Sequence, residues 1–227
     1  MNRPLLIRVT PRRFRIQVWY HSYCNRRNEG KWLPLYRQAT LSFSRTARMD
    51  LFPGDSLSDS IAFTGLYEHD LSRRVAELGR KGGMMVDVGA NLGYFSLLWA
   101  SSRFGNKSIA IEASPRNLDL LLRNVVLNGF DKQIQIVPCA AGRASGNAQF
   151  SLGPEEQRGW GGLALAPGAD CVEVKMIRLD ETIPTASQID LLKIDTEGAD
   201  AWVLMGCERL LKASVVSQAD HLLLRAV

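Results

Sequence analysis

The hydrophobic pattern of residues 84–100 is the clearest secondary-structure signal in the chain. The short apolar run Met84–Val86 predicts a strand, and apolar residues at helical spacing over 94–100 predict a helix directly after it. The turn between them contains Gly89 and Gly93, which permit backbone angles and a close ligand approach that a side chain would block. Strand, glycine turn and helix form the first half of a βαβ unit, and the helix N-terminus favours negative charge.

The same alternation of apolar strand and amphipathic helix continues along the chain. Strands are predicted at 108–112, 134–137 and 189–194, and helices at 115–128 and after Gly198. This order predicts an α/β fold with a mostly parallel, Rossmann-like sheet whose strand order begins 3-2-1-4.

Residues 146–181 depart from that alternation, because two strand patterns, 148–152 and 171–177, flank a loop rich in glycine and proline. A loop of this length is usually functional or disordered, and it could cover an acceptor site.

The turn after the first strand differs from a dinucleotide fingerprint at one position. Asp87 stands where the first glycine of G-x-G-x-x-G would be, which gives D-x-G-x-x-x-G. An acid there repels a pyrophosphate and suits a cationic ligand such as S-adenosylmethionine, which carries a sulfonium and an ammonium. Glu112 ends the next strand, where a carboxylate binds ribose hydroxyls in such folds. An ordinary βαβ turn with two solvated acids is the alternative interpretation.

Small residues end the third strand. Ala140 and Ala141 would let an adenine ring lie against the backbone, although small side chains are equally typical of a crowded strand end. The predicted cofactor-binding residues are Asp87, Gly89, Ala90, Asn91, Gly93, Tyr94, Glu112, Ala140 and Ala141.

The sequence resembles the FkbM family of S-adenosylmethionine-dependent methyltransferases. The motifs that carry the resemblance are D-V-G-A-N-L-G at 87–93, I-E-A-S-P-R-N at 111–117 and L-K-I-D-T-E-G-A-D at 192–200, and the similarity spans roughly residues 59–212. It implies a class I methyltransferase sheet, S-adenosylmethionine as cofactor, and O-methylation of a small molecule, sugar or lipid-linked acceptor.

Three acids are the candidates for catalysis. Asp195 and Glu197 follow the fourth parallel strand, and carboxyl ends of parallel strands meet at one cleft. Asp195 is the first candidate for the general base or for acceptor binding. Glu68 precedes a helix and is either a site residue or an acid that complements the helix dipole. Asp195 and Glu197 could also supply oxygen ligands to a divalent metal ion, but two acids alone are weak evidence for a metal site, and we predict none.

The first 50 residues differ from the rest in charge. Residues 1–48 contain eleven Lys or Arg and one acid, Glu29, within a chain of net charge +5. We therefore divide the chain into a basic, aromatic-containing N-terminal extension, 1–50, and a methyltransferase domain, 51–227. The extension either packs its aromatics on the body or binds an anionic partner, and an RNA methyltransferase is one alternative function.

Composition and the chain's end limit the other possibilities. No apolar run reaches the roughly 18–20 residues of a membrane helix, and the N-terminus lacks a signal-peptide core, so a cytoplasmic protein is expected. Only residues 213–227 remain for a fifth strand and a terminal hairpin, which suggests that the C-terminal strands are truncated. A non-catalytic, cofactor-binding remnant is therefore an alternative to an active enzyme. The third alternative is a nicotinamide oxidoreductase, but this sequence lacks the first glycine of the dinucleotide fingerprint.

Overall fold

The computed structural model describes residues 37–44, 46–166, 168, 170–184, 188–212 and, for the backbone, 222–224. Its elements in chain order are β1 Gln38–Thr40, β2 Arg48–Asp50, α1 Ser56–Thr64, α2 His69–Gly79, β3 Met84–Val88, α3 Tyr94–Ser102, β4 Lys107–Ile111, α4 Pro115–Leu127, β5 Ile134–Val137, β6 Ala140–Ala141, β7 Gly146–Ser151, a 3₁₀ turn Arg158–Trp160, β8 Gly162–Leu163, β9 Cys171–Ile177, α5 Leu179–Thr182, β10 Leu191–Ile194, α6 Asp200–Met205, α7 Glu208–Lys212 and β11 Leu222–Leu224.

A five-stranded sheet forms the centre of the fold, with the strand order β11-β10-β3-β4-β5 and every pairing parallel. Its residues alternate between two apolar clusters. Met85 and Leu191 face a cluster with the first four helices, whereas Val86 and Ile194 face one with the last three. A parallel sheet that is covered on both faces explains why its strands read as nearly continuous apolar runs. The predicted α/β fold with a parallel central sheet is confirmed.

A second sheet of four strands, ordered β6-β9-β7-β8, follows β5. β7 pairs antiparallel with β9 over the whole length of β7, and Phe150 and Val174 form a small apolar cluster with Ala140. The two strands predicted inside 146–181 are therefore present. The loop between them returns to the carboxyl edge of the central sheet, where it lines the cleft described below.

The described part of the N-terminal extension packs into the main core. β1 and β2 form an antiparallel hairpin, and Leu41 and Met49 are fully buried in the cluster that contains the first four helices. Asn124 of α4 accepts a hydrogen bond from the Asp50 main-chain N–H at 2.7 Å and donates to the Asp50 carbonyl at 3.2 Å. A boundary at residue 50 stays a prediction, and residues 1–36 lie outside the described part of the chain.

At the other end, β11 pairs with β10 in parallel register and supplies a fifth strand of the central sheet. The rest of 213–227 lies outside the described residues. Within the described ranges, no helix combines the length and the apolar character that crossing a bilayer requires.

Candidate cofactor and acceptor site

A cleft opens at the carboxyl ends of the central strands, where ligands bind in open parallel sheets. It contains about 1030 Å³ of space that is partly open to solvent. The turns after β3, β4 and β10 form one side, and the loop between β7 and β9 forms the other. Predicted site residues that line the cleft are Gly89, Ala90, Asn91, Tyr94, Glu112, Ala140, Ala141, Asp195 and Glu197.

The glycine turn is held in place by its neighbours. The main-chain N–H groups of Gly89 and Ala90 both donate to the carbonyl of Ile111 at the end of β4, each at 3.0 Å. Gly89 has φ 74°, a left-handed conformation that other residues adopt only with strain. Gly93 caps α3 at φ 92°, and a Cβ there would stand 2.6 Å from Leu121, so this glycine serves packing and does not line the cleft.

Glu112 joins the glycine turn to the start of α4. Its carboxylate accepts hydrogen bonds from the main-chain N–H of Asn91 at 2.7 Å and of Ser114 at 2.8 Å. The residue is 6% exposed. Burial raises its pKa, and the hydrogen bonds from Ser114 and Asn91 offset part of that rise. The carboxylate therefore fixes the shape of the turn as well as lining the cleft.

Asp87 lies beneath the turn, outside the cleft lining, and is fully buried. One carboxylate oxygen accepts a hydrogen bond from the Ser96 hydroxyl at 2.8 Å, and the other stands 3.2 Å from Nζ of Lys193. The Lys193 ammonium also donates to the carbonyl of Gly89 at 3.1 Å and lies 3.6 Å from the carboxylate of Asp195. Burial lowers the pKa of Lys193, but the neighbouring carboxylates outweigh this effect and raise the pKa, so the side chain stays charged.

Aromatic side chains form the wall beside this ion-paired cluster. Tyr94 and Phe95 meet edge to face with ring centroids 5.0 Å apart, and Tyr67 stands edge-on to both. The Tyr94 hydroxyl is buried at 2.9 Å from the Ser72 hydroxyl, and burial raises the pKa of Tyr94 to about 12. Tyr94 therefore presents its ring to the cleft and keeps its hydroxyl in the core.

The loop after β7 closes the cleft on its open side. The main-chain N–H of Arg158 donates to Asp55 at 3.1 Å, and the Arg158 carbonyl accepts from the Asn117 amide at 3.1 Å. The Arg158 guanidinium lies 3.9 Å above the ring of Phe52. Trp160 is 63% exposed at the rim. The loop therefore lines the cleft, and its covering of an acceptor stays a prediction.

Three buried side-chain atoms of residues that line this cleft lack a hydrogen-bond partner within the described structure. They are Oδ1 of Asn91, Oδ1 of Asn117 and Nε of Arg158. Buried polar groups in native proteins are almost always paired, so unpaired ones in the residues of a cleft suit a polar ligand.

Glu68, the third catalytic candidate, does not line the cleft. It precedes α2 in a left-handed conformation with φ 43°, and its carboxylate acts electrostatically on Lys193. Its neighbour Tyr67 lines the cleft instead. Asn91 and Glu197 are the other non-glycine residues with positive φ in the described ranges, at 51° and 43°. Backbone strain of this kind clusters at functional sites, which is compatible with a function for these three residues. The catalytic roles of Glu68 and Glu197 and the cofactor-binding role of Asn91 stay predictions.

Sequence reasoning gave no role to Lys193, Asn117 or Arg158. A signal existed for Lys193, because a lone cation inside an apolar strand that is buried on both faces requires acidic partners. No comparable signal marks Arg158, since its place at the cleft depends on the path of a long loop. Within the described ranges, no group of three or more histidine, cysteine or acidic side chains has the arrangement of a metal site.

The protein is an α/β protein with a parallel central sheet and a cleft at the carboxyl edge of that sheet. The family profile of the methyltransferase FkbM domain matches residues 87–220, which is more than half of the chain. The protein belongs to the FkbM methyltransferase family, as its motifs predicted.

Individual relatives are more distant. Methyltransferase sdnD of Sordaria araneosa is 28% identical, in an alignment that covers 55% of this chain and 60% of the relative. The chain thus spans about 60% of the length of the curated relative it matches. The crystal structure of methyltransferase FkbM from Methylobacillus flagellatus KT is 17% identical, covering 85% of this chain and 47% of that one, with a TM-score of 0.42. The structure of Pyrococcus horikoshii TYW2 in complex with MeSAdo is 27% identical over 30% of this chain and 26% of that one, with a TM-score of 0.27.

Proposed function

We propose that the protein transfers a methyl group from S-adenosylmethionine to a hydroxyl oxygen of a small-molecule, sugar or lipid-linked acceptor. One observation carries the proposal: Asp195 directly follows β10, its main-chain carbonyl lies against Gly89 of the glycine turn, and the residue lines the same cleft as Glu112. A carboxylate at this position can accept the proton of the acceptor hydroxyl, while the opposite half of the cleft would bind the nucleoside of the cofactor.

The residues present fit S-adenosylmethionine. Glu112 would accept hydrogen bonds from the ribose hydroxyls. Ala140 and Ala141 do not end the third strand of the central sheet as predicted but form β6 of the second sheet, just beyond β5, where they would leave room for an adenine ring. The unpaired amide oxygens of Asn91 and Asn117 would accept hydrogen bonds from donors of the ligand. These are hydrogen-bond acceptors of the kind that the hydroxyls and the free amine of such a ligand require.

The bound cofactor supplies an activated methyl group on a sulfonium, and the sulfur keeps the electron pair of the broken C–S bond. The chain's own residues then have two tasks. Asp195 accepts the proton of the acceptor hydroxyl, whose oxygen forms the new C–O bond. The cleft holds the two reactants in line, which converts a bimolecular reaction into an effectively unimolecular one. Lys193 keeps Asp195 in place from behind.

The charge of the cleft bears on the acceptor class. Its described lining contains four acids, Asp55, Glu112, Asp195 and Glu197, and two cations, Arg158 and Lys193. An acidic cleft repels the phosphates of a nucleic acid and accepts a neutral hydroxyl compound. Methylation of RNA with the help of the basic N-terminal extension stays the alternative, and steep salt dependence of RNA binding would favour it.

The test is a transfer assay with S-adenosylmethionine labelled in its methyl group. The protein is incubated with fractionated cell extracts, and labelled products are analysed by mass spectrometry and by their resistance to mild base. A base-resistant methyl ether that the parent forms and Asp195→Asn does not form supports the proposal. A labelled nucleic acid, or a labelled product that Asp195→Asn forms at the parental rate, contradicts it. Thermal shifts by S-adenosylhomocysteine but not by NAD exclude the oxidoreductase.

A further inference from the structure

The amino ends of the central strands carry a group of exposed residues that the proposed function does not use. Because β3, β4 and β5 are parallel, the segments 80–83, 103–107 and 129–133 meet at one edge of the sheet, opposite the cleft. Five exposed basic residues and one exposed phenylalanine lie in these segments. We call them the amino-edge patch: Arg80, Lys81, Arg103, Phe104, Lys107 and Lys132.

Hydrogen bonds tie the three segments together. The main-chain N–H of Lys107 donates to the carbonyl of Gly83 at 3.0 Å, and the Lys107 ammonium donates to the carbonyl of Lys132 at 2.6 Å. The Arg103 guanidinium donates to the carbonyl of Lys81. All these acceptors are main-chain carbonyls, so the contacts hold the cations near one another without neutralising any of them.

Acids balance the charge of the amino-edge patch only in part. Among the described residues, no carboxylate forms an ion pair with any of its five cations. Asp131 is the one acid in the three segments, and Asp190, just before β10, accepts a hydrogen bond from the Met84 main-chain N–H at 2.8 Å. The cleft lining at the opposite edge contains more acids than cations, so the two edges of the sheet differ in sign.

Phe104 projects from a loop between two of these cations, Arg103 and Lys107. Its side chain is fully exposed, so the ring contributes nothing to the protein core. Gly105 follows with φ 89°, and nothing lies within 4 Å of the position that a Cβ would take there. The tip of the loop therefore stands clear of the rest of the described protein. A single exposed apolar residue is common on protein surfaces, but this one is accompanied by five cations.

We propose that the amino-edge patch binds the surface of an anionic lipid bilayer. Acidic headgroups attract surface cations, and an aromatic ring gains free energy when it leaves water for the boundary between headgroups and acyl chains. Single-stranded nucleic acids bind in charged grooves where their bases stack on aromatic rings, whereas Phe104 stands on a protruding tip. The cleft at the opposite edge faces away from the bilayer and stays open to ligands from solution. The proposal does not depend on the proposed function.

The experiment is co-sedimentation of the full chain with lipid vesicles. Vesicles of phosphatidylcholine alone are compared with vesicles of phosphatidylcholine and phosphatidylserine in equal parts. We expect binding to the acidic vesicles only, with an affinity that falls as salt is added, because salt screens exposed charges. The basic N-terminal extension is present in every variant, so a difference between variants belongs to the residues that were changed. No cofactor or acceptor is needed.

The apolar part of the patch is tested with Phe104→Ser. This variant should bind the acidic vesicles about tenfold more weakly, because it removes the apolar surface that would leave water on binding. Leu165→Ser is the matched control, since Leu165 is 91% exposed in the loop before β9, outside the patch. It should bind the acidic vesicles as the parent does.

The charged part is tested with the double variant Lys81→Gln and Lys132→Gln. Each cation near an acidic surface contributes about fivefold in affinity, so the pair should weaken vesicle binding about twentyfold. The double variant Arg74→Gln and Lys175→Gln removes the same charge from exposed positions outside the patch and is the control. Its affinity should stay within about threefold of the parent, because distant exposed charges are screened.

Three results would overturn the proposal. The first is a parent that does not bind the acidic vesicles, including a parent that binds single-stranded RNA instead. The second is parental vesicle binding in either Phe104→Ser or the Lys81 and Lys132 double variant, because the N-terminal extension would then carry the binding. The third is a control variant that weakens binding as much as its matched patch variant. All the changed side chains are exposed, and thermal unfolding of each variant checks that it folds as the parent does.

Discussion

The main-chain carbonyl of Asp195 lies against Gly89, so that a Cβ on Gly89 would stand 1.9 Å from the carbonyl oxygen. The turns that follow β3 and β10 meet at this contact. It joins the glycine turn to Asp195, the residue proposed to accept the proton of the acceptor hydroxyl. Any residue other than glycine would have to push β10 away from β3. The geometry of the candidate site thus depends on the absence of a side chain at Gly89.

Gly89→Ala is expected to destabilise the protein and to abolish binding of S-adenosylhomocysteine. The substitution combines a left-handed φ of 74° with a backbone clash that no side-chain rotation relieves. We expect a loss of about 3 kcal/mol or more in the free energy of unfolding, measured by chemical denaturation. Gly105→Ala is the matched control, because Gly105 has φ 89° and open space around it, and it should cost only about 1 kcal/mol. Equal losses in the two variants would show that the clash is absorbed.

Truncation at the N-terminus should distinguish two segments. Removal of 1–48 takes away β1, the connection after it and the first residue of β2. Ala39, Leu41 and Ala47, which are buried in the main core, are lost with them. We expect that variant to be insoluble or unfolded. Removal of 1–36 leaves the hairpin in place and should leave the affinity for S-adenosylhomocysteine within about twofold of the parent, because no proposed cofactor contact lies before residue 60. Calorimetry and circular dichroism on both truncated proteins check this, and loss of affinity in the shorter deletion would contradict it.

Tyr94 predicts an alkaline limit of stability. Burial raises its pKa to about 12, above the ordinary tyrosine value of 10.0 that applies in the unfolded chain. Because the pKa of Tyr94 is higher in the folded than in the unfolded state, its contribution to the free energy of unfolding is complete below pH 10 and is lost as the pH rises through 12. The loss relative to Tyr94→Phe should reach about 2 kcal/mol at pH 12, since one pKa unit is worth about 1.4 kcal/mol and Tyr94 is then only half ionised in the folded state. Urea denaturation of both proteins from pH 8 to pH 12 measures the difference, and parallel curves would refute the assignment.

The strands and the glycine turn could be predicted because their signals are local. Apolar runs and the positions of Gly89 and Gly93 are visible within a few residues, and the structure places β3 and α3 where those signals lie. The role of Lys193 could not be predicted in the same way. Lys193 and Asp87 are direct partners in the register between β10 and β3, and that pairing joins residues 106 positions apart. Only the register shows which of several acids the ammonium meets.

The predicted role of Asp87 illustrates the same limit. An acid at the end of β3 indicated a cationic ligand, but the structure gives its carboxylate to Lys193 and Ser96 beneath the turn. Asp195, and not Asp87, lines the cleft. Sequence spacing located both acids at one sheet edge, yet it could not tell which of them is exposed, because exposure depends on how the glycine turn folds over β3.

Glu112→Gln should weaken binding of S-adenosylhomocysteine by roughly ten- to a hundredfold, because hydrogen bonds to a charged group contribute about 1.5–3 kcal/mol. The carboxylate also accepts main-chain hydrogen bonds from Asn91 and Ser114, so we expect a fall of about 1–2 kcal/mol in the free energy of unfolding. Calorimetry and denaturation measure the two effects separately. Glu77→Gln, on the exposed face of α2, is the control and should change neither by more than about 0.5 kcal/mol. Parental affinity in Glu112→Gln would place the nucleoside elsewhere.

Asp195→Asn should show the opposite division between binding and turnover. The amide keeps the size of the carboxylate, and the Lys193 ammonium remains paired with Asp87 at 3.2 Å, so fold and affinity for S-adenosylhomocysteine should be nearly parental. Methyl transfer should fall by about a hundredfold to ten-thousandfold, the usual contribution of a positioned general base. The comparison requires both variants in one assay, with labelled transfer and calorimetric binding measured on the same preparations. If Asp195→Asn loses affinity for S-adenosylhomocysteine while Glu112→Gln binds it normally, the two carboxylates belong to the opposite halves of the site. If both variants bind and transfer as the parent does, the cleft at these strand ends is not where the reaction takes place.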